Sequence, residues 1–295
     1  MSFREDRICL ITGADSGIGK AVAKLLAQLD ITLLLVSRNH VRGERAVKEI
    51  GADCNADLFL FIADLSSQES IRNLAKKIKE RFKRIDVLIN NAGARFSGRH
   101  ITIDGIEATF AVNYLSRFLL TNLLLDLLKE SEQGRIINVS GEYHRKGKIN
   151  FNDLNLKENY SAFTASAQSK LADILYTYSL AEKLKNTNIT ANCMHPGSVA
   201  TNIIYSDPDA GAGIKFLYAV SALFLSKPEK SAETVIYLAT SQNVSSITGK
   251  YFINKKAVES SPLSYDKELG SKLWEVSEDL ISSSKNREEI LSKKL

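Results

Sequence analysis

The residues best suited to chemistry come early. The segment Thr12-Gly13-Ala14-Asp15-Ser16-Gly17-Ile18-Gly19 follows a short apolar run and opens a helical pattern. Glycines in such a place let the backbone turn tightly and approach a phosphate. A helix that starts there offers free N–H groups and the positive end of its dipole. The expected ligand is a dinucleotide held by Gly13, Ser16, Gly17, Ile18 and Gly19. A second signal, Ser37-Arg38, closes the next apolar run. An acid at that place would hold the ribose hydroxyls of NAD and repel a 2′-phosphate, whereas the planar fork of an arginine hydrogen-bonds to that phosphate. Ser37 with Arg38 therefore predicts NADP(H). A solvated surface arginine is the alternative.

These residues need strands and helices to hold them. Short β-branched runs at 8–11, 32–36, 58–62, 87–89, 135–139, 189–194 and 251–253 read as strands. Longer patterns at 17–29, 68–82, 106–129 (with a bend), 161–185 and 231–240 read as helices. Alternating strand and helix implies a parallel sheet with right-handed crossovers. Continuous apolar strands imply that both faces are covered. The predicted class is α/β, a single doubly wound Rossmann-type parallel sheet with helices on both faces. One domain spans 1–295, since no composition shift, Pro/Gly linker, repeat or low-complexity segment divides the chain.

The turn has the spacing TGxxxGxG rather than GxGxxG, and in this it resembles the short-chain dehydrogenase/reductase family. Asp64-Leu65, Asn90-Asn91-Ala92-Gly93, Phe110-Ala111-Val112-Asn113 and Pro196-Gly197 with Thr201 match further motifs of that family. The resemblance covers nearly the whole chain. At His195-Pro196-Gly197 and Leu273-Trp274-Glu275-Val276-Ser277 it is greatest to the retinol-dehydrogenase-like branch. It implies hydride transfer between a nicotinamide and a carbonyl or alcohol. It also implies that Asp64 and Leu65 contact the adenine, that Asn91, Ala92 and Gly93 form a cofactor loop, and that Pro196, Gly197 and Thr201 meet the nicotinamide end. Asn113 would hold a water of the proton relay. Lys170, in Ser169-Lys170-Leu171-Ala172-Asp173, would touch the ribose.

Two positions depart from the pattern. Four residues before its lysine the family carries a tyrosine acid/base, whose pKa the lysine lowers from the same helix face; here that residue is Ser166. After the fifth strand the family reads Val-Ser-Ser, the second serine orienting the substrate oxygen; here the chain reads Val139-Ser140-Gly141. The separation of 25 residues between positions 141 and 166 keeps the register. An alkyl hydroxyl is shorter than a phenol, and its pKa lies far above the phenol value of about 10. Losing positioned acid/base catalysis costs about 100- to 10,000-fold in rate. Tyr143 and His144, just past Gly141, are candidate substitutes, and His144 has a suitable intrinsic pKa; alternatively both only shape the pocket wall. Tyr160 reads as packing or a loop anchor. Ser140 replaces the missing serine only if the loop shifts register. Two readings stand. One is an NADP(H)-dependent oxidoreductase on a lipophilic carbonyl or alcohol with weakened or rerouted acid/base chemistry. The other is a non-catalytic NADP(H)-binding protein acting as a sensor or interaction partner.

Bulk properties exclude other classes. The 295 residues are 44% hydrophobic and 25% charged, a globular balance. The net charge of +5 is spread along the chain, with no basic block beyond Lys293-Lys294, so no nucleic-acid partner is expected. Cys9, Cys54 and Cys193 form no CxxC pair, so neither a metal site nor a disulfide framework is expected. The first strand begins near residue 7, leaving no room for a signal peptide or anchor. The apolar stretch 216–225 is about half a bilayer span. The expectation is a cytoplasmic protein without a transmembrane segment, whose substrate loop lies at about 202–226. Peripheral membrane contact and peroxisomal targeting through the terminal Lys-Lys-Leu are weaker alternatives. The leucines of 118–128 and the helix carrying Lys170 leave a homodimer open, because they face either a second copy or their own sheet.

Overall fold

The structure is a computed structural model and describes residues 7–52, 54–197, 209, 211 and 228–292. Among the described residues eight strands form one sheet: β1 (Ile8–Thr12), β2 (Thr32–Ser37), β3 (Leu58–Ile62), β4 (Val87–Asn90), β5 (Gly134–Val139), β6 (Ile189–Met194), β7 (Tyr251–Ile253) and β8 (Lys256–Val258). Their order is β3-β2-β1-β4-β5-β6-β7-β8, parallel throughout except for the β7/β8 pair. Neighbours run away from β1 in both directions, so the sheet reverses between β1 and β4. In such sheets the crevice beyond the carboxyl ends of the strands at the reversal takes the ligand.

Among the described residues seven main helices cover the sheet: α1 (Gly17–Ala27), α2 (His40–Gly51), α3 (Gln68–Arg81), α4, α5 (Ala162–Lys183), α6 (Pro228–Thr240) and α7 (Lys267–Ser292). Here α4 comprises Ala108–Phe110, a π turn at Ala111–Leu115 and Ser116–Lys129 in one unbroken run. The strands bury alternate residues on opposite faces. Cys9, Ile11, Leu33 and Leu35 pack with α1 and α6. Leu10, Leu34, Leu88 and Ile136 pack with α3, α4 and α5. Two apolar layers explain why the strand sequences are continuous rather than alternating.

The bend expected in 106–129 is the π turn. One extra residue per turn there rotates the side chains that follow and sets Asn113 inside the bulge. The leucines of 118–128 lie mostly within the chain: Phe118, Leu119, Leu120, Leu124 and Leu128 are buried. Trp274 of α7 packs edge-on against Phe118 and tilted over Tyr176 of α5. Most of the apolar surface of 118–128 thus packs within the chain, with Leu123 and Leu125 partly buried.

Three elements go beyond the sequence expectation. Helix α2 starts at Asn39, whose side chain accepts from the Arg42 N–H at 2.9 Å, and it buries Gly43, Ala46 and Ile50 on one face. Helix α7 buries Leu273 and Ser277 at a spacing of one turn. Strand β8 is exposed at every residue and follows Asn254 and Lys255, both at positive φ (48° and 64°), a pair suited to a tight hairpin turn. It adds one antiparallel strand at the edge of the expected parallel sheet. Among the described residues no helix is long and apolar enough to cross a membrane. The stretch 216–225 and Thr201 lie outside the described residues.

Candidate active site

The site begins at the β1/α1 turn. Gly13 and Gly17 have φ of +67° and +52°, a region open to glycine and costly for other residues. At Gly19 any Cβ would overlap the Gly13 carbonyl oxygen and the Asn91 amide. The turn is clasped to the loop after β4. Asn91 Nδ2 donates to Thr12 O at 2.9 Å and to Gly13 O at 3.2 Å. Thr12 Oγ1 accepts from the backbone N–H groups of Asn91 and Ala92, both at 3.0 Å. Ser16 occupies the N-cap of α1 without capping it through its side chain, which leaves the helix N–H groups to an anion.

Gly13, Ser16, Gly17 and Ile18 line a cleft of about 330 Å³ together with Ser37 and Arg38. Asp64 and Leu65 line it beyond β3, and Asn91, Ala92 and Gly93 beyond β4. Pro196 and Gly197 after β6 and Lys170 from α5 line its far end. Residues predicted from six separate segments thus meet in one place. Gly19 stands behind Gly13, and Asn113 stands behind Gly93. The Ser37 hydroxyl folds back, donating to Asn39 O at 2.9 Å, so that Arg38 is the side chain of that pair with charge to offer. Asp64 Oδ1 accepts from both the N–H and the hydroxyl of Ser66, which fixes its loop.

The sequence reading missed Arg42. It lines the cleft beside Arg38, and its Nε lies 3.0 Å from Asp15 Oδ2. The available signal was the i, i+4 spacing from Arg38 at the start of a helix. It also missed the pair beneath the cleft. Arg117 Nη1 donates to Asp173 Oδ2 at 2.6 Å, with the side chains 2% and 0% exposed, and Arg117 Nη2 donates to Ala92 O at 2.9 Å. This pair ties α4 to α5 and both to the loop after β4. The partners are 56 residues apart, which no local pattern reveals.

At the far end Asn113 is held on two sides. Its Oδ1 accepts from the Ala94 N–H at 2.7 Å, and its Nδ2 donates to Ala94 O at 3.0 Å and to Ser169 Oγ at 3.2 Å. Lys170 Nζ donates to Val139 O at 3.2 Å. Burial pushes the Lys170 amine down to about 7; the nearby Arg117 guanidinium acts in the same direction and the Asp173 carboxylate against it. Ser166 lies on α5 one turn before Lys170 and is buried. Gly141 is fully extended (φ 178°, ψ 164°), a conformation any residue adopts. A Cβ there would sit 3.5 Å from Lys170 Cε, an ordinary contact. Neither backbone nor space therefore demands the glycine.

The candidate substitutes take other places. His144 is buried, with Nδ1 2.8 Å from Gly141 O and Nε2 accepting from the Ser261 N–H at 3.1 Å. Both ring nitrogens are engaged, so the proton sits on Nδ1 and burial holds the ring's pKa below its usual value. It anchors the turn after β5 to the segment before α7. Tyr143 is 46% exposed and packs on Phe163. Ser140 Oγ donates to Lys170 O at 3.2 Å, so it braces α5 instead of replacing the missing serine. Tyr160 Oη donates to Phe96 O at 2.8 Å, which makes it a loop anchor. His195 Nδ1 is buried without a hydrogen-bond partner among the described residues. No cluster suited to a metal ion occurs among the described residues.

Known proteins resemble this chain in sequence and fold. The family model described as short chain dehydrogenase matches residues 7–210. Retinol dehydrogenase 14 of Mus musculus is 38% identical over 283 residues, covering 92% of this chain and 85% of its own. Human retinol dehydrogenase 13 is 38% identical over 276 residues, covering 92% and 83%. Among solved structures, an uncharacterized protein of Mycobacterium paratuberculosis superposes with a TM-score of 0.74 at 28% identity, covering 94% of this chain and 93% of that one. The Pseudomonas aeruginosa RhlG/NADP active-site complex gives 0.66 at 26% identity, covering 85% and 97%. A glycine turn locked to the loop after β4, a lysine on α5 and an asparagine in a π turn fit these likenesses: the chain belongs to the short-chain dehydrogenase family, in its retinol-dehydrogenase-like branch.

Proposed function

We propose that this protein is an NADP(H)-dependent oxidoreductase acting on a lipophilic carbonyl or alcohol, with proton transfer rerouted around Ser166 and Gly141. The observation that carries the cofactor half is the cluster at the end of β2. Arg38 and Arg42 face the cleft where a carboxylate would select NAD. The uncapped α1 N-terminus and the positive-φ glycines form a cradle of N–H groups that suits a pyrophosphate. The lipophilic substrate is supported by the names of the retinol dehydrogenase relatives and by the apolar stretch 216–225.

When bound, the nicotinamide supplies or takes the hydride. The chain's own residues hold the rest. Asn91 and Thr12 fix the turn that grips the phosphates. Lys170 presents its amine at the far end, and Asn113 braces the loop through Ala94. Pro196 and Gly197 border the nicotinamide in this reading. Two measurements test it. Titration should show NADPH binding more tightly than NADH; tighter NADH binding overturns the cofactor assignment. NADPH oxidation should appear with some member of a panel of lipophilic aldehydes, ketones and quinones. Tight NADPH binding without turnover by the wild type or by the Gly141→Ser/Ser166→Tyr double variant favours the non-catalytic sensor instead.

A further inference from the structure

Among the described residues, Lys170 is the ionisable side chain that lines the substrate end of the cleft; His195, beside Pro196, does not line it. Tyr143 points outward against Phe163, both His144 nitrogens are engaged, and Ser140 is turned to α5. The other ionisable residues lining the cleft are Asp15, Arg38, Arg42, Asp64 and Arg95, none of them on the Val139–Ser140 or Pro196–Gly197 segments. The missing side chain at Gly141 uncovers the lysine stem, since a Cβ there would touch Cγ, Cδ and Cε. Ser166, one turn earlier, fills less of the face than a phenol.

From this geometry we infer that Lys170 is itself the proton donor and acceptor of the reaction, a role beyond holding the ribose. The inference rests on the oxidoreductase reading above. In reduction the carbonyl carbon gains the hydride that reduced nicotinamide supplies, and the C=O π pair moves onto oxygen. That oxygen takes a proton from the Lys170 ammonium, leaving a neutral amine that solvent reprotonates. Oxidation runs the same steps backwards, with the neutral amine as base. An amine titrating near neutrality is matched to both directions. The surroundings keep it there. Arg117 from α4 disfavours the ammonium, Asp173 from α5 favours it, and His195 at the end of β6 faces it, its own pKa lowered by burial and by Lys170. From the turn after β5, Glu142, His144 and Arg145 act on His195.

The test pairs chemistry on the free protein with kinetics. Competitive labelling of the full chain with an amine-selective reagent, read by mass spectrometry across pH, should show Lys170 half-reactive near 7, against about 10.5 for an ordinary lysine. Carbonyl reduction by the wild type should fall as pH rises through the same midpoint. Lys170→Arg keeps the cation but cannot release its proton. It should bind NADPH within about threefold of wild type, while kcat falls about 100- to 10,000-fold. Three results overturn the inference: labelling of Lys170 in the ordinary lysine range, wild-type kcat in Lys170→Arg, or a silent wild type beside an active Gly141→Ser/Ser166→Tyr variant. The first two results leave the oxidoreductase reading standing, whereas a silent wild type removes that reading as well, so the two failures are told apart.

Discussion

Two glycines, one at each end of the cleft, show how differently its halves are constrained. At Gly19 the neighbouring backbone leaves no room for a single added carbon, and Gly13 and Gly17 hold a backbone conformation that side chains resist. At Gly141 the chain is extended and an added carbon meets only the lysine stem at normal distance. The cofactor end is fixed by sterics, so its residues follow from the fold. The proton-transfer end is not. Gly141 is a choice of chemistry made on a backbone that would accept a side chain.

The comparison breaks most visibly if the ground beneath both ends gives way. Asp173→Ala leaves Arg117 buried without its partner and should cost about 3–5 kcal/mol of stability, read by denaturant melts. The double variant Arg117→Met/Asp173→Leu should recover most of that. A single variant that melts like wild type would show the pair to be idle. Next in size, Gly19→Ala should weaken NADPH binding by about 100-fold, or about 2.8 kcal/mol, while Gly141→Ser shifts stability by less than about 0.5 kcal/mol. Equal effects at the two glycines would erase the distinction drawn between them.

Arg42→Ala sharpens the cofactor end. It should weaken NADPH by about tenfold, close to 1.4 kcal/mol, and leave NADH within about twofold, measured by titration. Equal losses for both cofactors would place Arg42 on the pyrophosphate or on Asp15 alone. The smallest effect concerns pH. Burial lowers the His144 pKa in the folded state, so the unfolded chain binds the proton first. Stability should therefore fall as pH drops below the usual histidine value of about 6.5, and this loss should be shallower in His144→Gln. A slope unchanged by the substitution would show that His144 titrates alike in both states.

Much of the cofactor end was legible because its causes are local. A glycine that must adopt positive φ, and an apolar run covered on both faces, leave marks within a few residues. The β-strands were read nearly to their ends for the same reason. Helix α2 escaped because its buried face is only Gly43, Ala46 and Ile50 amid charged residues, although Asn39 offered a cap. Strand β8 buries nothing, so its pattern carries no signal. The Arg117–Asp173 pair, and the engagement of His144 by Ser261, are products of tertiary distance. His144 looked like a catalyst in one dimension because pKa is legible in a residue's type and its hydrogen-bond partners are not.

The hydroxyl of Tyr114, next to Asn113 in the π turn, lies 2.6 Å from that of Ser277 on α7, 163 residues later. On the ribosome, at about 5–20 residues per second, that interval lasts on the order of ten seconds or more. Through it Tyr114 and Phe118, joined partway by Tyr176, lack the helix that will cover them. The nascent chain must therefore hold its glycine turn, its paired strands and an open aromatic face together for that time. That waiting surface is where a chaperone would find its handle, and where a chain stopped before α7 would aggregate.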